Sequence, residues 1–546
     1  MAVLGALLLI ATGPCVHAAD NAAAQQQSLD ELRNTLVNLL QTMVDRGLLT
    51  RDQAQQLVKQ AQDKAAADAA LNAAKVAAEE KEEQNAVRVP YVPQIVQDQI
   101  ARQVAQQVQP VVQANVIKQA KEEKWGVPGA LPDWITHVQL LGDVTVREQN
   151  DMFPADNSVD QLLDYYAVNQ AGGIGAASDP FVNTTENRDR IRERAHLGVL
   201  ADLTPTWSAA IRLATGSLTD PSSESQNEGT SGERYSVGFD EAYIRWDSKP
   251  ASQLAWMTAE GGRVLNPWFS PTELIYSRDL TFEGGYSTWR WGFGRDGGAD
   301  RSALYLTAGG SEMLEVPVYN PDNKWTVGAQ LGTNIRLADG RQHLRFAAAY
   351  YDFINVTGIK NPPYSTFYNF TAPAFIRYGN SYFDISNNPQ NTSVNLFALA
   401  ARFRLVDLAA TYELGFGQHL FVVNGEVVRN IGYNTAEVEA LSGQIMPKAE
   451  DTGFVGEVGY GDPEVDDRWD WRTRLGYRYV RRDAVLDAWT DADFHGGGTN
   501  AEGYYFWVEL GLAKNVWVRG RYLSANQIDG PAYGLDTLQL DLNARF

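Results

Sequence analysis

Cysteine is almost absent from the sequence, and so are long apolar runs. The single cysteine, Cys15, lies in an apolar segment near the N-terminus, so no disulfide can form within one chain. After residue 20 no stretch approaches the roughly 18 consecutive apolar residues that a transmembrane helix needs. Any part of this region that crosses a membrane must therefore do so as β-structure, which satisfies its backbone hydrogen bonds by closing into a barrel.

Basic residues are outnumbered, and the motifs of common enzymes are missing. The chain has 46 Lys and Arg against 67 Asp and Glu, whereas a protein that binds nucleic acid needs a basic surface. It contains no Gly-x-Ser-x-Gly, no His-Glu-x-x-His and no glycine-lysine phosphate loop. We therefore expect no enzyme, no cofactor and no nucleic-acid partner.

Residues 1–18 have the pattern of a signal peptide. An apolar run ends in small residues, with Val16 and Ala18 placed for cleavage before Ala19. No Lys or Arg precedes the run, which leaves two alternatives open: the true start lies further upstream, or the segment is a hydrophobic anchor. The small-residue pattern favours a cleaved signal and hence an exported protein.

Residues 19–124 are predicted to be helical. They are nearly free of aromatic residues and glycine, and Ser28 with Glu31 forms a capping box before a run of leucines spaced three and four apart. After two prolines, another helix carries a narrow apolar stripe, at Val96, Ile100, Val104 and Val108. This stripe needs a partner helix, which predicts a coiled coil in a homo-oligomer, with a trimer favoured. A solvated, partly frayed stalk is the alternative.

Residues 125–546 are rich in glycine, aromatic and β-branched residues, with alternating polarity. The pattern predicts sixteen strands, at 138–148, 190–203, 207–216, 235–247, 254–263, 279–294, 302–311, 325–336, 342–353, 394–414, 419–428, 453–460, 469–481, 503–513, 516–524 and 537–546. Connections after even-numbered strands are short, and those after odd-numbered strands are long. This alternation is typical of a transmembrane β-barrel of a bacterial outer membrane, with both termini in the periplasm.

A barrel of this size has further consequences. Sixteen strands enclose a lumen too wide for side chains to fill, so we expect an aqueous channel inside and lipid outside. The last strand alternates Leu538, Leu540 and Leu542 with polar residues and ends in Phe546. A terminal aromatic residue on such a strand resembles the signal that the barrel-assembly machinery recognises, so this machinery is an expected partner.

One predicted strand is charged on one face and aliphatic on the other. Its sequence, RDRIRERAHLGVLADL, begins at Arg188, and two further arginines share its inward parity. We call these residues the arginine wall: Arg147, Arg188, Arg190, Arg192, Arg194 and Arg212. Arginine stays charged and binds carboxylates in a fork, so the wall is expected to attract anions. Alternatively, these arginines pair with carboxylates and brace the barrel.

A candidate constriction loop follows the thirteenth predicted strand. It carries four aspartates ahead of three glycines, at Asp483, Asp487, Asp491 and Asp493. We expect the loop to fold inward and to be held by salt bridges to the arginine wall. Binding of a divalent cation through carboxylate oxygens is the alternative, but the spacing is not that of a calcium loop, so we expect no metal.

Several motifs resemble the putative porin family of Gram-negative outer membranes, in which a barrel follows an N-terminal helical region. They are RVPYVP at 88–93, Pro-Asp-Trp at 132–134, Gly-Asp at 142–143, the arginine strand, and the block from Trp469 to Gly503. One departure is Thr145, where the family tends to have an arginine. The resemblance implies an outer-membrane channel and names no solute.

Taken together, these observations predict a signal peptide at 1–18, a periplasmic helical region at 19–124 and an outer-membrane barrel at 125–546. We expect passive transport of small hydrophilic solutes, with an arginine-lined wall that favours anionic groups. Two other functions stay open. The barrel could be closed and tether the outer membrane to the cell wall through its helical region, or it could act as an adhesin through its long loops.

Overall fold

The computed structural model describes residues 137–229, 232, 234–294, 301–316, 323–337, 341–391 and 393–546. The predicted signal peptide at 1–18 and helical region at 19–124 lie outside these residues. Within them, no helix is long and apolar enough to cross a membrane. The two α-helices described there are short and lie in connections, α1 at Tyr165–Ala171 and α2 at Thr435–Ser442.

Sixteen long strands of the described residues form one antiparallel sheet that closes on itself. Their bounds are β1 Val138–Met152, β2 Arg188–Thr204, β3 Trp207–Thr215, β4 Val237–Asp247, β5 Met257–Leu265, β6 Thr281–Gly292, β7 Ala303–Leu314, β8 Lys324–Leu337, β9 Gln342–Ile354, β10 Phe403–Phe416, β11 His419–Asn430, β12 Thr452–Gly461, β13 Trp471–Val480, β14 Ala501–Ala513, β15 Val516–Gln527 and β16 Gly534–Arg545. The predicted sixteen-stranded barrel is confirmed.

The barrel closes where β1 meets β16. Their register runs from Asp143 opposite Arg545 to Met152 opposite Asp536. Beyond it, the backbones of Gly142 and Phe546 exchange two hydrogen bonds, of 3.1 and 2.9 Å. A Cβ atom at Gly142 would lie 2.3 Å from the Phe546 ring, so a larger residue there would require this ring to shift. The seam therefore leaves no free strand edge.

The outer surface of the barrel is apolar. Exposed side chains include Ile191, Leu197 and Val199 from the arginine strand, and Leu538 and Leu540 from the last strand. Exposed aromatic residues lie near the rim that carries the short turns, among them Trp207, Trp256, Trp291 and Phe416. An apolar band bordered by aromatic residues matches the lipid-facing surface of a transmembrane barrel.

Two details of the strand prediction are wrong. Residues 394–414 do not form one strand, because Phe397–Leu399 pairs with Tyr382–Asp384 in a separate small sheet and β10 begins only at Phe403. The apolar run at 398–401 is buried continuously, which does not fit the alternating exposure of a barrel strand. The alternation of loop lengths also fails at 528–533, which follows an odd-numbered strand and is shorter than the turn at 248–256.

Two long connections enter the lumen. We call residues 266–280, between β5 and β6, lumen loop A, and residues 481–500, between β13 and β14, lumen loop B. Their buried apolar residues share one core with inward-facing wall residues. This core includes Leu274, Ile275 and Tyr276 of lumen loop A, Val485, Leu486 and Phe494 of lumen loop B, and Tyr351, Phe403 and Val428 of the wall. Side chains of these two loops therefore occupy part of the lumen.

Candidate solute pathway in the lumen

The carboxylate of Asp493 is the point at which lumen loop B meets the arginine wall. It lies 3.1 Å from Arg147, 2.9 Å from Arg521 and 3.8 Å from Arg192. Burial opposes ionisation of Asp493, but the three guanidinium groups outweigh it and hold the pKa of this carboxyl well below its usual range. Asp493 is thus a fixed negative charge that attaches the loop to three different strands.

Asp491 and Arg478 add a second attachment. Asp491 lies 3.5 Å from Arg521 and 3.9 Å from Arg478, whose side chain is only 2% exposed. Arg478 also donates to the backbone oxygen of Glu273 at 2.9 Å and to the hydroxyl of Thr490. It therefore connects the wall to both lumen loops, and a loss of its charge would affect both.

Asp483 and Asp487 do not reach the arginine wall, contrary to expectation. Asp483 accepts hydrogen bonds from the backbone and hydroxyl of Ser381, at 2.9 and 2.6 Å, and Asp487 accepts from the hydroxyl of Tyr382 at 2.8 Å. Burial raises the pKa of Asp483 to about 6 and that of Asp487 to about 7. These two carboxyls join lumen loop B to the long connection 355–402.

Most arginines of the wall face carboxylates. Arg147 donates to Asp541 at 2.8 Å, Arg194 lies 3.2 Å from Asp279, and Arg212 lies 2.8 Å from Glu241. Arg190 pairs with Asp151, and Arg212 also pairs with Asp240. Arg188 is exposed and forms no ion pair with a described residue. These contacts match the alternative in which the arginines brace the barrel.

The wall also holds a histidine between two acids. His196 lies 2.9 Å from Asp143 and 2.6 Å from Glu224. Glu224 belongs to the connection between β3 and β4, and its burial raises its pKa to about 7 against the hydrogen bond from His196. This contact draws a third connection towards the lumen.

A cavity of about 570 Å³ lies between the lumen loops and the wall. At one end it reaches Gly142, Arg545 and Phe546, at the rim that carries the short turns. Asp491 and Asp493 of lumen loop B also line the cavity, so the attachment of this loop to the arginine wall borders it. Its sides carry residues of both signs together with aromatic groups, among them Arg194, Arg212, Glu457, Tyr505, Trp507 and Arg519.

Two charged positions of this site were missed by the sequence reasoning. Arg519 and Arg521 alternate on β15 in the same way as the arginines of β2, so the signal was present in the stretch VWVRGRYL. Within the ranges that the structure describes, no cluster of three or more His, Cys, Asp or Glu could hold a metal ion. The loop carboxylates described above are instead engaged by arginines, hydroxyls and backbone amides.

The chain is similar to one protein family and to several solved structures. The family described as "Putative porin" matches residues 33–546. A search of curated proteins finds no match. Similar solved structures include the outer membrane channel DcaP of Acinetobacter baumannii, with 12% identity, a TM-score of 0.38, and coverage of 75% of this chain and 97% of that one. Another is OprB of Pseudomonas putida, with 9% identity, a TM-score of 0.43, and coverage of 78% and 97%.

Proposed function

Because the chain belongs to the "Putative porin" family, we propose that it is an outer-membrane channel through which small hydrophilic solutes diffuse passively. The observation that carries this proposal is the charged cavity of about 570 Å³ inside a closed barrel with an apolar outer surface. Family membership points to a channel rather than an enzyme. The N-terminal region is proposed to lie in the periplasm.

We also propose that the lumen arginines favour anionic groups. The cavity contacts Arg147, Arg194, Arg212, Arg519 and Arg521, and their field acts over the roughly 8 Å of the screening length at physiological salt. The paired carboxylates reduce this field, so the expected preference is smaller than the number of arginines suggests. With a potassium chloride gradient across a bilayer that contains the protein, the reversal potential should have the sign that indicates selectivity for anions.

A closed barrel that acts as a tether is the second candidate. The observation that favours it is the apolar core in the lumen, where Tyr276 and Phe494 are almost completely buried. Single-channel recording of the purified protein in a planar bilayer separates the two functions. A channel gives discrete current steps in potassium chloride, whereas a closed tether or an adhesin leaves the current across the bilayer at its baseline.

The proposed partners are a second and third copy of the chain, the barrel-assembly machinery and outer-membrane lipid. For assembly, the support is the position of Phe546 at the seam, beside Gly142. Deletion of Phe546 should lower the amount of folded, protease-resistant barrel, while unchanged assembly would count against the signal. For self-association, a 19–124 fragment that sediments as a monomer at high concentration would exclude a coiled coil in that region.

A further inference from the structure

We infer that Arg278 of lumen loop A is the residue in the lumen that contacts the carboxylate group of a small monocarboxylate solute. This inference rests on the proposed channel function and deepens it. It assigns solute recognition to lumen loop A rather than to the arginine wall, because most arginines of the wall are paired with carboxylates of the protein.

Arg278 differs from the other lumen arginines in its exposure and its partners. Its side chain is 57% exposed, whereas those of Arg147 and Arg521 are 14% exposed. Its one ion pair among the described residues joins Nε to Glu273 at 3.9 Å. The two terminal nitrogens make no such contact, and together they present the fork that binds a carboxylate oxygen pair. The side chain lines the cavity, so this fork faces its solvent.

Hydrogen bonds on the N-terminal side of Arg278 hold lumen loop A in place. The backbone of Ser277 donates to the Trp489 oxygen at 2.7 Å, and the Ser277 hydroxyl donates to the Ser222 oxygen at 2.9 Å. Further back, the backbone of Thr272 donates to Glu426 at 3.2 Å, which fixes the loop to β11. A binding group carried by a fixed backbone loses little freedom when a ligand arrives.

The surrounding charges select the kind of anion. The negative charge of Glu273 raises the pKa of Arg278, and Glu457 acts in the same direction. Arg521 is a nearby charge of the same sign, and Tyr505 also lies close. For a doubly charged phosphate, the attraction to Arg278 and Arg521 and the repulsion by Glu273 and Glu457 both double. The cost of removing the anion from water rises about fourfold, which favours a singly charged carboxylate.

The test is the block of potassium chloride current by benzoate in planar bilayers, with wild type and four variants. Arg278→Gln should raise the half-blocking concentration roughly two- to fivefold, the range that a solvent-exposed charge pair supports. Arg278→Lys keeps the charge and loses the fork, so it should keep the reversal potential and still weaken the block. Glu273→Gln removes the competing charge and should strengthen the block.

The matched control is Arg402→Gln. Arg402 has a side chain that is 63% exposed, but it lies in the connection 355–402 and does not line the cavity. This variant should leave the block unchanged. The inference is overturned if benzoate does not block the wild type, if Arg278→Gln is blocked like the wild type, or if Arg402→Gln weakens the block equally.

The failure of the channel proposal is distinguishable from the failure of this inference. A wild-type protein that carries no current would overturn the channel. Equilibrium dialysis of benzoate against the detergent-solubilised barrel would then decide the role of Arg278. Weaker binding to Arg278→Gln than to wild type and Arg402→Gln supports the contact, and equal binding overturns it.

Discussion

The two halves of lumen loop B are held by opposite kinds of chemistry. In the first half, Asp483 and Asp487 are buried among hydroxyl and amide donors of the connection 355–402. In the second half, Asp491 and Asp493 face guanidinium groups of the barrel wall. Burial therefore favours the neutral acid at Asp483 and Asp487, whereas the guanidinium groups favour the charged carboxylate at Asp493.

The loop therefore has two separate attachments to its neighbours. The first half fixes it to another connection, and the second half fixes it across the lumen to strands β1, β2 and β15. A change at one attachment should leave the other in place. Variants and pH can therefore test the two halves one at a time.

The largest expected effect is that of pH on the first half. The pKa values of about 6 for Asp483 and about 7 for Asp487 lie above the ordinary value, so the neutral acids favour the docked loop. This contribution is complete below about pH 4 and is lost as the pH rises through 6 and 7. Because a pKa change of one corresponds to about 1.4 kcal/mol, docking should weaken by on the order of 4 kcal/mol between pH 5 and pH 8.

Hydrogen exchange of the folded barrel, corrected for the intrinsic rate at each pH, measures this effect. Residues 483–489 should exchange faster at pH 8 than at pH 5. Residues 491–493 should not, because the pKa of Asp493 lies well below this window. Equal protection of residues 483–489 at the two pH values would contradict the assignment of neutral acids.

The second expected effect is that of Asp493→Asn on the other half. The substitution leaves Arg147, Arg192 and Arg521 without their shared carboxylate, and breaking a buried pair costs roughly 3 kcal/mol. Lumen loop B should then leave its position more often, which should raise the mean single-channel conductance and the current noise. A mean conductance and a current noise equal to those of the wild type would show that Asp493 does not hold the loop.

A smaller effect is expected for Tyr382→Phe. The variant removes the hydroxyl that donates to Asp487 and leaves the buried carboxyl short of a donor, which costs about 2 kcal/mol. Protection of residues 483–489 should fall at pH 5, while the reversal potential should stay at its wild-type value. A shifted reversal potential would mean that the two halves are not independent.

The smallest expected effect is that of Arg192→Gln. Arg192 lies 3.8 Å from Asp493, farther than Arg147 and Arg521, so its removal should cost no more than about 1 kcal/mol. The noise of the single-channel current should change much less than in Asp493→Asn. If the two variants gave equal noise, Arg192 rather than Arg521 would be the main partner of the loop.

The sequence predicts the barrel well because alternation is a local signal. Residues i and i+2 share a face of every strand, so the outward leucines of β16 and the inward arginines of β2 can be assigned without knowing any partner. The pairing of the charges is not local: Arg147 and Asp493 are 346 positions apart. The sequence indicates that the loop aspartates meet the arginine wall, but nothing near Arg147 indicates that its partner is Asp493 rather than another of the four.

Lumen loop A could not be predicted for the same reason, whereas the sequence does predict the inward fold of lumen loop B. The apolar residues of 266–280 look like an ordinary connection, and only the width of a sixteen-stranded barrel leaves room for them inside. Arg278 belongs to no alternating pattern in the sequence that would identify it, and its exposure depends on where lumen loop A lies. Arg519 and Arg521 could be predicted to face the lumen, because their alternation repeats that of the arginine strand.

The most direct test of the channel is the swelling of liposomes that contain the purified protein. In an isosmotic solution of a small hydrophilic solute, the liposomes should swell faster than protein-free liposomes, and the rate should fall as the size of the solute increases. Asp493→Asn should swell faster than wild type, because its lumen loop B is less firmly held. Swelling of wild-type liposomes at the protein-free rate for every solute would contradict the proposed passive channel.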